Sequence, residues 1–275
     1  MTSILSEVKA TYAAQGSRPL RRRGQNFLIN PLIYQQIIEV AELKSDDVVL
    51  EIGPGLGHLT EHLIQRVKKV LAVEIDKDLV AILENKFITQ KNLNIISDDA
   101  LKIELKKLKL KKYKIVANLP YNITGAILRK FLSEKLQPET MTLMLQKEVA
   151  QRIIAQPPEM SLLSNMVQFY GQPKIITNVS RHNFWPIQKV DSAVIHIEGI
   201  HHPKNIDEKI FFNLLRAGFS SPRKYLMNNL IRNKIWSHDQ AVKIFHQLSI
   251  NVQARAENIN LNQWESLYKF YGERA

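Results

Sequence analysis

The chain has 275 residues, 45% of them hydrophobic, which is enough material for a packed core of one larger and one smaller domain. The absence of cysteine excludes disulfides and thiolate metal sites, and no apolar run approaches the roughly 20 residues of a membrane span. The 38 Lys and Arg against 26 Asp and Glu give a net charge of +12, which favours a polyanionic partner. The amino end lacks the apolar core of a secretory signal, so we expect a cytoplasmic protein.

The first two hundred residues alternate β-rich runs with segments of helical spacing. Strands are predicted at 48–52, 70–75, 93–96, 114–117 and 141–145, and helices at 59–67, 79–87, 127–132 and 148–155. Two more strands, 174–179 and 193–197, are close enough in sequence for an antiparallel hairpin at the sheet edge. The alternation indicates βαβ units, so an α/β, Rossmann-like domain is expected over residues 1–200.

Only helices are predicted after the segment His201-His202-Pro203. They are expected at about 208–219, 224–229, 239–248 and 262–271. Residues 203–275 therefore form a small all-helical domain in this interpretation.

A glycine-rich segment, Glu51-Ile-Gly53-Pro-Gly55-Leu-Gly57, lies between the first predicted strand and the following helix. Glycines let the backbone turn sharply and approach a ligand without a Cβ in the way. Glu74 ends the next strand, where a carboxylate can accept hydrogen bonds from ribose hydroxyls. A structural turn is the alternative, but the placement of Glu74 favours a nucleoside-bearing cofactor.

The glycine spacing discriminates between two such cofactors. A pyrophosphate loop reads G-x-G-x-x-G, whereas this chain has G-x-G-x-G with Glu51 two residues ahead. A carboxylate of Asp98-Asp99-Ala100, at the end of the third strand, could receive the amine of an adenine. The pattern favours S-adenosylmethionine over a dinucleotide, and the first domain is expected to be a class I methyltransferase domain.

The fourth predicted strand runs into Asn118-Leu119-Pro120-Tyr121. Strand ends of a parallel sheet meet at one edge, which places this tetrapeptide beside the glycine loop. The Asn118 side-chain oxygen and the Leu119 carbonyl can accept the N–H bonds of an exocyclic adenine amine, and Pro120 fixes the backbone between them and Tyr121. Tyr121 offers a face on which an extruded base can stack. The alternative is a strand-terminating turn without chemistry.

These residues, with several others, resemble the bacterial small-subunit rRNA adenine dimethyltransferases, the kasugamycin-resistance family. The matching segments are Gly24-Gln-Asn-Phe-Leu28, Glu51-Ile-Gly-Pro-Gly55, Glu74-Ile-Asp76, Asp99-Ala100, Asn118-Leu-Pro-Tyr-Asn-Ile123, Leu145-Gln-Lys-Glu-Val149, Lys189-Val-Asp-Ser-Ala193 and Arg255-Ala-Glu257. The resemblance implies an enzyme that uses S-adenosylmethionine to dimethylate N6 of two adjacent adenines near the 3′ end of 16S rRNA. It implies the small ribosomal subunit as partner, late in its assembly, and we expect a monomer.

The resemblance also implies roles for individual residues. Cofactor contacts would come from Asn26, Leu28, Gly53, Gly55, Glu74, Ile75, Asp99, Ala100 and Asn118. The catalytic group would be Asn118, Leu119, Pro120 and Tyr121, with Phe184 closing over the other face of the flipped base. This chain departs from the family's Phe-x-Pro-x-Pro-Lys pattern, because Gln188 replaces the second proline and is expected to loosen the loop that holds Phe184.

RNA contacts are predicted at two basic clusters, Arg21-Arg22-Arg23 before the cofactor motif and Arg223-Lys224 in the helical domain. No metal is predicted, since nothing near His201 and His202 supplies carboxylates at ligand spacing. Two other functions stay open. One is the same reaction on large-subunit rRNA, and the other is a non-catalytic factor for ribosome assembly or RNA binding.

Overall fold

The computed structural model describes residues 3–14, 16, 19 and 26–272. The chain divides into two compact units, the first formed by Met1–Ala150 and Gln172–Ile200 and the second by Gln151–Gly171 and His201–Ala275. One boundary between the units thus falls at residue 200, where the prediction changes from alternating strands and helices to helices alone. Residues 151–171, which the sequence interpretation places in the first domain, group instead with the second unit. The reason is packing, because the Phe169 ring stacks on Phe211 with centroids 4.4 Å apart.

Seven of the nine strands described in the first unit lie close to their predicted positions, and the two short strands at 27–28 and 184–185 were not predicted. The strands are β1 (Phe27–Leu28), β2 (Val48–Ile52), β3 (Lys69–Glu74), β4 (Leu93–Ser97), β5 (Lys114–Asn118), β6 (Met141–Gln146), β7 (Gln172–Val179), β8 (Phe184–Trp185) and β9 (Ser192–Glu198). The helices up to β7 are α1 (Ile4–Ala14), α2 (Pro31–Val40), α3 (His58–Ile64), α4 (Lys77–Lys86), α5 (Thr124–Ser133), α6 (Lys147–Ile154) and α7 (Leu162–Tyr170).

Seven strands form one sheet in the order β4-β3-β2-β5-β6-β9-β7. The five from β4 to β6 are parallel, and β9 runs antiparallel to both of its neighbours. The predicted antiparallel pair, β7 and β9, is therefore present, but β9 lies inside the sheet and only β7 of this pair is an edge strand. Because β9 is reversed, its first residue, Ser192, pairs with Gln146 at the last residue of β6. Ser192 therefore lies at the end of the sheet where the parallel strands have their carboxyl ends.

The central strands are apolar along nearly their whole length, as expected for a parallel sheet covered on both faces. Val49, Leu50, Val70, Ile115 and Val116 are at most 1% exposed. On one face Val49, Val70 and Val116 belong to a cluster that includes Ile37 and Leu63 from α2 and α3. The candidate site lies at the carboxyl ends of these strands.

The two amino-terminal helices were not predicted. In α1 only Val8 and Tyr12 are buried, so the sequence carries little periodic signal. In α2 the periodicity is stronger, and Asn30 caps the helix by accepting a hydrogen bond from the Leu32 N–H at 3.0 Å. Both helices belong to the first unit and contribute side chains to its buried clusters.

The second unit is helical in its described part. After α7 it contains α8 (Glu208–Gly218), α9 (Leu226–Arg232), α10 (His238–Gln247) and α11 (Leu261–Gly272), close to the predicted positions. Its interior is aromatic, with Phe211, Phe245 and Trp264 fully buried. Gly218 is required where α8 meets α11, since a Cβ there would lie 2.3 Å from Trp264 Cη2. Across the described ranges of both units, no helix is long and apolar enough to span a membrane.

Candidate active site

A cleft of about 610 Å³ opens at the carboxyl ends of β2, β3, β4 and β5. Ligands in open parallel sheets bind beyond these ends, and the volume lies within the usual range of about 300–1,000 Å³ for small-molecule sites. Twelve of the residues predicted to bind cofactor or act in catalysis line it. They are Asn26, Leu28, Gly53, Gly55, Glu74, Ile75, Asp99, Ala100, Asn118, Leu119, Pro120 and Tyr121.

The glycine loop follows β2 directly and needs its glycines. Gly53, Gly55 and Gly57 all have positive φ, at 68°, 62° and 83°. A Cβ on Gly57 would also lie 2.5 Å from the Phe87 ring, so this position tolerates no side chain. A Cβ on Gly53 would lie 3.7 Å from Pro120 Cδ, which shows that the glycine loop and the tetrapeptide after β5 are direct neighbours.

Glu74 presents a carboxylate that the backbone holds in place. Its Oε1 accepts the N–H groups of Ile75 and Asp76, each at 2.9 Å, and its Oε2 accepts the Gly55 N–H at 3.2 Å. Burial raises the pKa of Glu74, and the three hydrogen bonds partly offset this. A carboxylate has roughly four lone-pair positions. Oε2 therefore remains the oxygen best placed for a ribose hydroxyl, and the residues around it fit a nucleoside cofactor.

Glu51 lies deeper in the cleft and is 1% exposed. Its Oε2 accepts a hydrogen bond from the Thr60 hydroxyl at 2.7 Å. Burial raises the pKa of Glu51 to about 8, against the lowering effect of the Thr60 bond and with a smaller raising contribution from Glu74. The group is thus mainly protonated at neutral pH, and a cation bound nearby would favour its ionised form.

The tetrapeptide after β5 is anchored to the sheet. The Leu119 N–H donates to the Met144 carbonyl at 3.0 Å, which continues the pairing of β5 with β6. The Pro120 carbonyl accepts the Ile123 N–H at 3.2 Å and closes a short turn over Tyr121–Ile123. Asn118 is partly buried at the cleft wall. The strand end and the turn therefore hold both proposed acceptors beside the glycine loop.

Asp99 and Asn26 reach the cleft from two further segments. Asp99 follows β4 and its Oδ1 accepts the Leu101 N–H at 2.9 Å, while its neighbour Ala100 is buried. Asn26 lies directly before β1 and lines the cleft. Ile75, which follows Glu74, also lines the cleft and is 65% exposed. An exposed aliphatic side chain beside a buried carboxylate suits the flat, partly apolar face of a nucleoside.

Phe184 does not lie where the resemblance places it. It is 1% exposed, is absent from the cleft wall and belongs to the core cluster with Leu28 and Tyr34. The cause is the pairing of β1 with β8, in which Leu28 faces Phe184 and Phe27 faces Trp185. Successive strand residues point to opposite faces. Phe184 therefore turns into the core, and the partly exposed Trp185 turns towards Tyr12, with ring centroids 6.3 Å apart.

The contact of α1 with the glycine-loop region was not predicted from the sequence. Tyr12 packs on Phe27 with centroids 5.6 Å apart, and burial together with Asp76 and Glu74 raises its pKa to about 12. Glu7 forms an ion pair with Lys86 at 2.8 Å, and its Oε2 lies 3.3 Å from Nε2 of His58, whose pKa is lowered by burial. Lys86 in turn donates to the Leu56 carbonyl at 3.0 Å, so α1 is tied to the glycine segment through one lysine.

The predicted RNA contacts are placed only in part. Arg21, Arg22 and Arg23 lie outside the described residues. Arg223 and Lys224 are exposed on the turn between α8 and α9 of the second unit. Within the described residues, no group of three or more His, Cys, Asp or Glu side chains is arranged to hold a metal ion.

The chain is similar to known proteins over nearly its full length. A protein of Dehalococcoides mccartyi named ribosomal RNA small subunit methyltransferase A is 38% identical over 275 residues, covering 98% of this chain and 94% of the relative. A dimethyladenosine transferase from Plasmodium falciparum superposes with a TM-score of 0.76 at 27% identity, over 89% of this chain and 96% of that one. The 23S rRNA methyltransferase ErmE gives 0.73 at 26% identity, over 90% and 99%.

The two solved structures share the class I methyltransferase fold predicted for the first two hundred residues. The family described as ribosomal RNA adenine dimethylase matches residues 18–273, which include every residue of the cleft wall. On this match and on the full-length relative, the chain belongs to the ribosomal RNA adenine dimethylase family.

Proposed function

We propose that this chain transfers methyl groups from S-adenosylmethionine to N6 of two adjacent adenines near the 3′ end of small-subunit rRNA, two methyl groups to each. The observation that carries the proposal is the meeting of the glycine loop, Glu74, Asp99 and the tetrapeptide 118–121 in one cleft. S-adenosylmethionine, when bound, supplies an electrophilic methyl group on a positively charged sulfur, and the family fold implies it as the donor.

The side chains around the cleft divide into a donor half and an acceptor half. Glu74 would hold the ribose, Asp99 the adenine amine, and Gly53 and Gly55 would lie against the cofactor, with Asn26, Leu28, Ile75 and Ala100 completing the wall. These groups would hold the donor beside the end of β5, where its methyl group could meet the acceptor. Orientation of this kind removes much of the entropic barrier to a bimolecular reaction.

The acceptor half favours the transition state of methyl transfer. The Asn118 side-chain oxygen and the Leu119 carbonyl would accept hydrogen bonds from the two N–H groups of the adenine amine. These bonds would hold the nitrogen in line with the methyl group and favour the pyramidal geometry in which its lone pair is more nucleophilic. Pro120 fixes the backbone between these acceptors and Tyr121, on whose ring the extruded base would stack. After transfer the nitrogen carries an acidic proton that can leave to water, so no dedicated base is required.

The second unit and the basic amino-terminal segment would supply RNA docking. Arg223 and Lys224 are exposed cations on one turn, and Arg21, Arg22 and Arg23 precede the cofactor motif in sequence. Phosphate contacts of this kind weaken steeply with salt. We further propose that the protein acts as a cytoplasmic monomer late in small-subunit assembly.

The test is transfer of tritiated methyl groups to purified small and large subunits from a strain lacking the modification. We expect incorporation into small-subunit RNA only, as dimethyladenosine. Transfer confined to the large subunit would favour the alternative substrate, with which the fold is compatible because ErmE superposes nearly as well as the dimethyladenosine transferase. Binding without transfer to either subunit would favour a non-catalytic assembly factor.

A further inference from the structure

The hydroxyl of Tyr121 takes part in a closed hydrogen-bond network at the acceptor side of the cleft. It donates to the side-chain oxygen of Gln188. Its oxygen also lies 2.6 Å from the Ser192 hydroxyl oxygen, which is itself 3.2 Å from the same Gln188 oxygen. Each hydroxyl has one proton, so while Tyr121 donates to Gln188, Ser192 donates either to Gln188 or to the Tyr121 oxygen.

The network is shielded from solvent. Gln188 is 8% exposed and Ser192 is fully buried. Burial raises the pKa of Tyr121, while the bonds from Ser192 and Gln188 lower it to a smaller extent. Buried polar groups are costly when left without a partner. The three side chains thus stabilise one another, and loss of one member leaves the others under-satisfied.

Both ends of the network are fixed by the fold. Tyr121 follows directly from the end of β5, and Ser192 is the first residue of the reversed strand β9. Gln188 belongs to the loop between β8 and β9 and lines the cleft together with Tyr121. The resembling family usually has a proline at this position, which has no side-chain amide.

We infer that Gln188 is a positioning residue that sets the orientation of the Tyr121 ring, and through it the adenine that stacks there. A phenolic O–H is conjugated with its ring, so hydrogen-bond partners lie near the ring plane. Gln188 and Ser192, which both contact the Tyr121 hydroxyl, therefore restrict the position and tilt of the ring. The inference rests on the proposed function, because it assigns Tyr121 the role of stacking platform.

The test is a double-mutant cycle with Gln188→Met, Tyr121→Phe and the double variant, assayed on undermethylated small subunits. Gln188→Met keeps the length of the side chain and removes the amide. Loss of one neutral hydrogen bond corresponds to about five- to tenfold in rate. We expect kcat to fall by that factor in each single variant and no further in the double variant, with KM for S-adenosylmethionine unchanged. Ile187→Met, at an exposed neighbouring position, is the matched control.

Three outcomes would overturn the inference. The first is full activity of Gln188→Met. The second is multiplication of the two single effects in the double variant, because independent effects multiply. The third is a fall in kcat that follows the fall in unfolding temperature across all variants, because that would mark a merely structural role.

A second readout separates this inference from the proposed function. In protein labelled with ¹³C at tyrosine Cζ, a slowly exchanging hydroxyl gives a deuterium isotope shift. We expect that shift for Tyr121 in the wild-type protein and its loss in Gln188→Met. Absence of the shift in wild type rejects the positioning network. Its presence in a wild-type protein that methylates no rRNA would reject the function and leave the network standing.

Discussion

The Gly55 N–H donates to the Glu74 carboxylate across 3.2 Å, so the glycine loop after β2 and the acidic end of β3 form one rigid element. A loop held in this way has less conformational freedom to lose when a ligand binds, which lowers the entropic cost of binding.

Glu74→Gln should weaken the binding of S-adenosylmethionine. The amide nitrogen cannot accept a backbone N–H, so the variant also loses the bond to Gly55 or the bonds to Ile75 and Asp76, and part of the weakening comes from the loop. Loss of a hydrogen bond to a charged group is worth about 1.5–3 kcal/mol, or a roughly 10- to 100-fold rise in Kd. Calorimetric titration measures it, with the exposed Glu84→Gln on α4 as control. An unchanged Kd would remove Glu74 from the cofactor site.

Asn118→Ala should lower kcat for methyl transfer by about 10²–10³-fold, as expected for loss of one group that stabilises the transition state. Binding to the small subunit should stay near the wild-type value, since Asn118 is partly buried in the cleft and away from exposed cations. Single-turnover transfer and filter binding separate the two effects. The control is Asn94→Ala, at an exposed position of β4. Transfer retained by Asn118→Ala would contradict the acceptor role of the strand end.

Glu51 predicts a particular dependence of stability on pH. Its folded-state pKa, about 8, lies above the ordinary value of 4.5, so the folded protein binds this proton more tightly than the unfolded chain. The contribution to stability is complete below pH 4.5 and is lost as pH rises towards 8.

Glu51→Gln removes this titration and keeps an oxygen for the Thr60 hydroxyl. The variant should unfold at a higher temperature than wild type near pH 8, and the difference should shrink towards pH 5. Thermal unfolding across this range measures it. A difference that is the same at both ends would show that Glu51 does not titrate as stated.

Gly218→Ala should destabilise the second unit. The added Cβ would lie 2.3 Å from Trp264 Cη2 and 2.8 Å from Leu226 Cδ1, and overpacking of this kind costs about 1–3 kcal/mol. The matched control is Gly125→Ala in α5, where a Cβ has nothing within 4 Å and should stabilise the helix slightly. Differential scanning calorimetry should show opposite shifts for the two variants. Shifts of the same sign would contradict the packing argument.

The strands and the residues at their ends could be predicted because local sequence determines them. The apolar run 48–52 and the motif 118–121 are read directly from neighbouring residues, and parallel topology then brings them together. The burial of the Phe184 ring in the core could not be predicted from neighbouring residues. It depends on β1 pairing with β8 across more than 150 residues, and this register decides which ring enters the core. The grouping of residues 151–171 with the second unit has the same origin, since contact between Phe169 and Phe211 is not local.

The brace that Lys86 forms between Glu7 and Leu56 makes the glycine loop sensitive to the amino-terminal helix α1. Loosening of that helix would reach the donor half of the cleft before it reached the strands of the sheet. A preparation damaged in this way should keep the circular-dichroism signal of its sheet and still take up S-adenosylmethionine poorly.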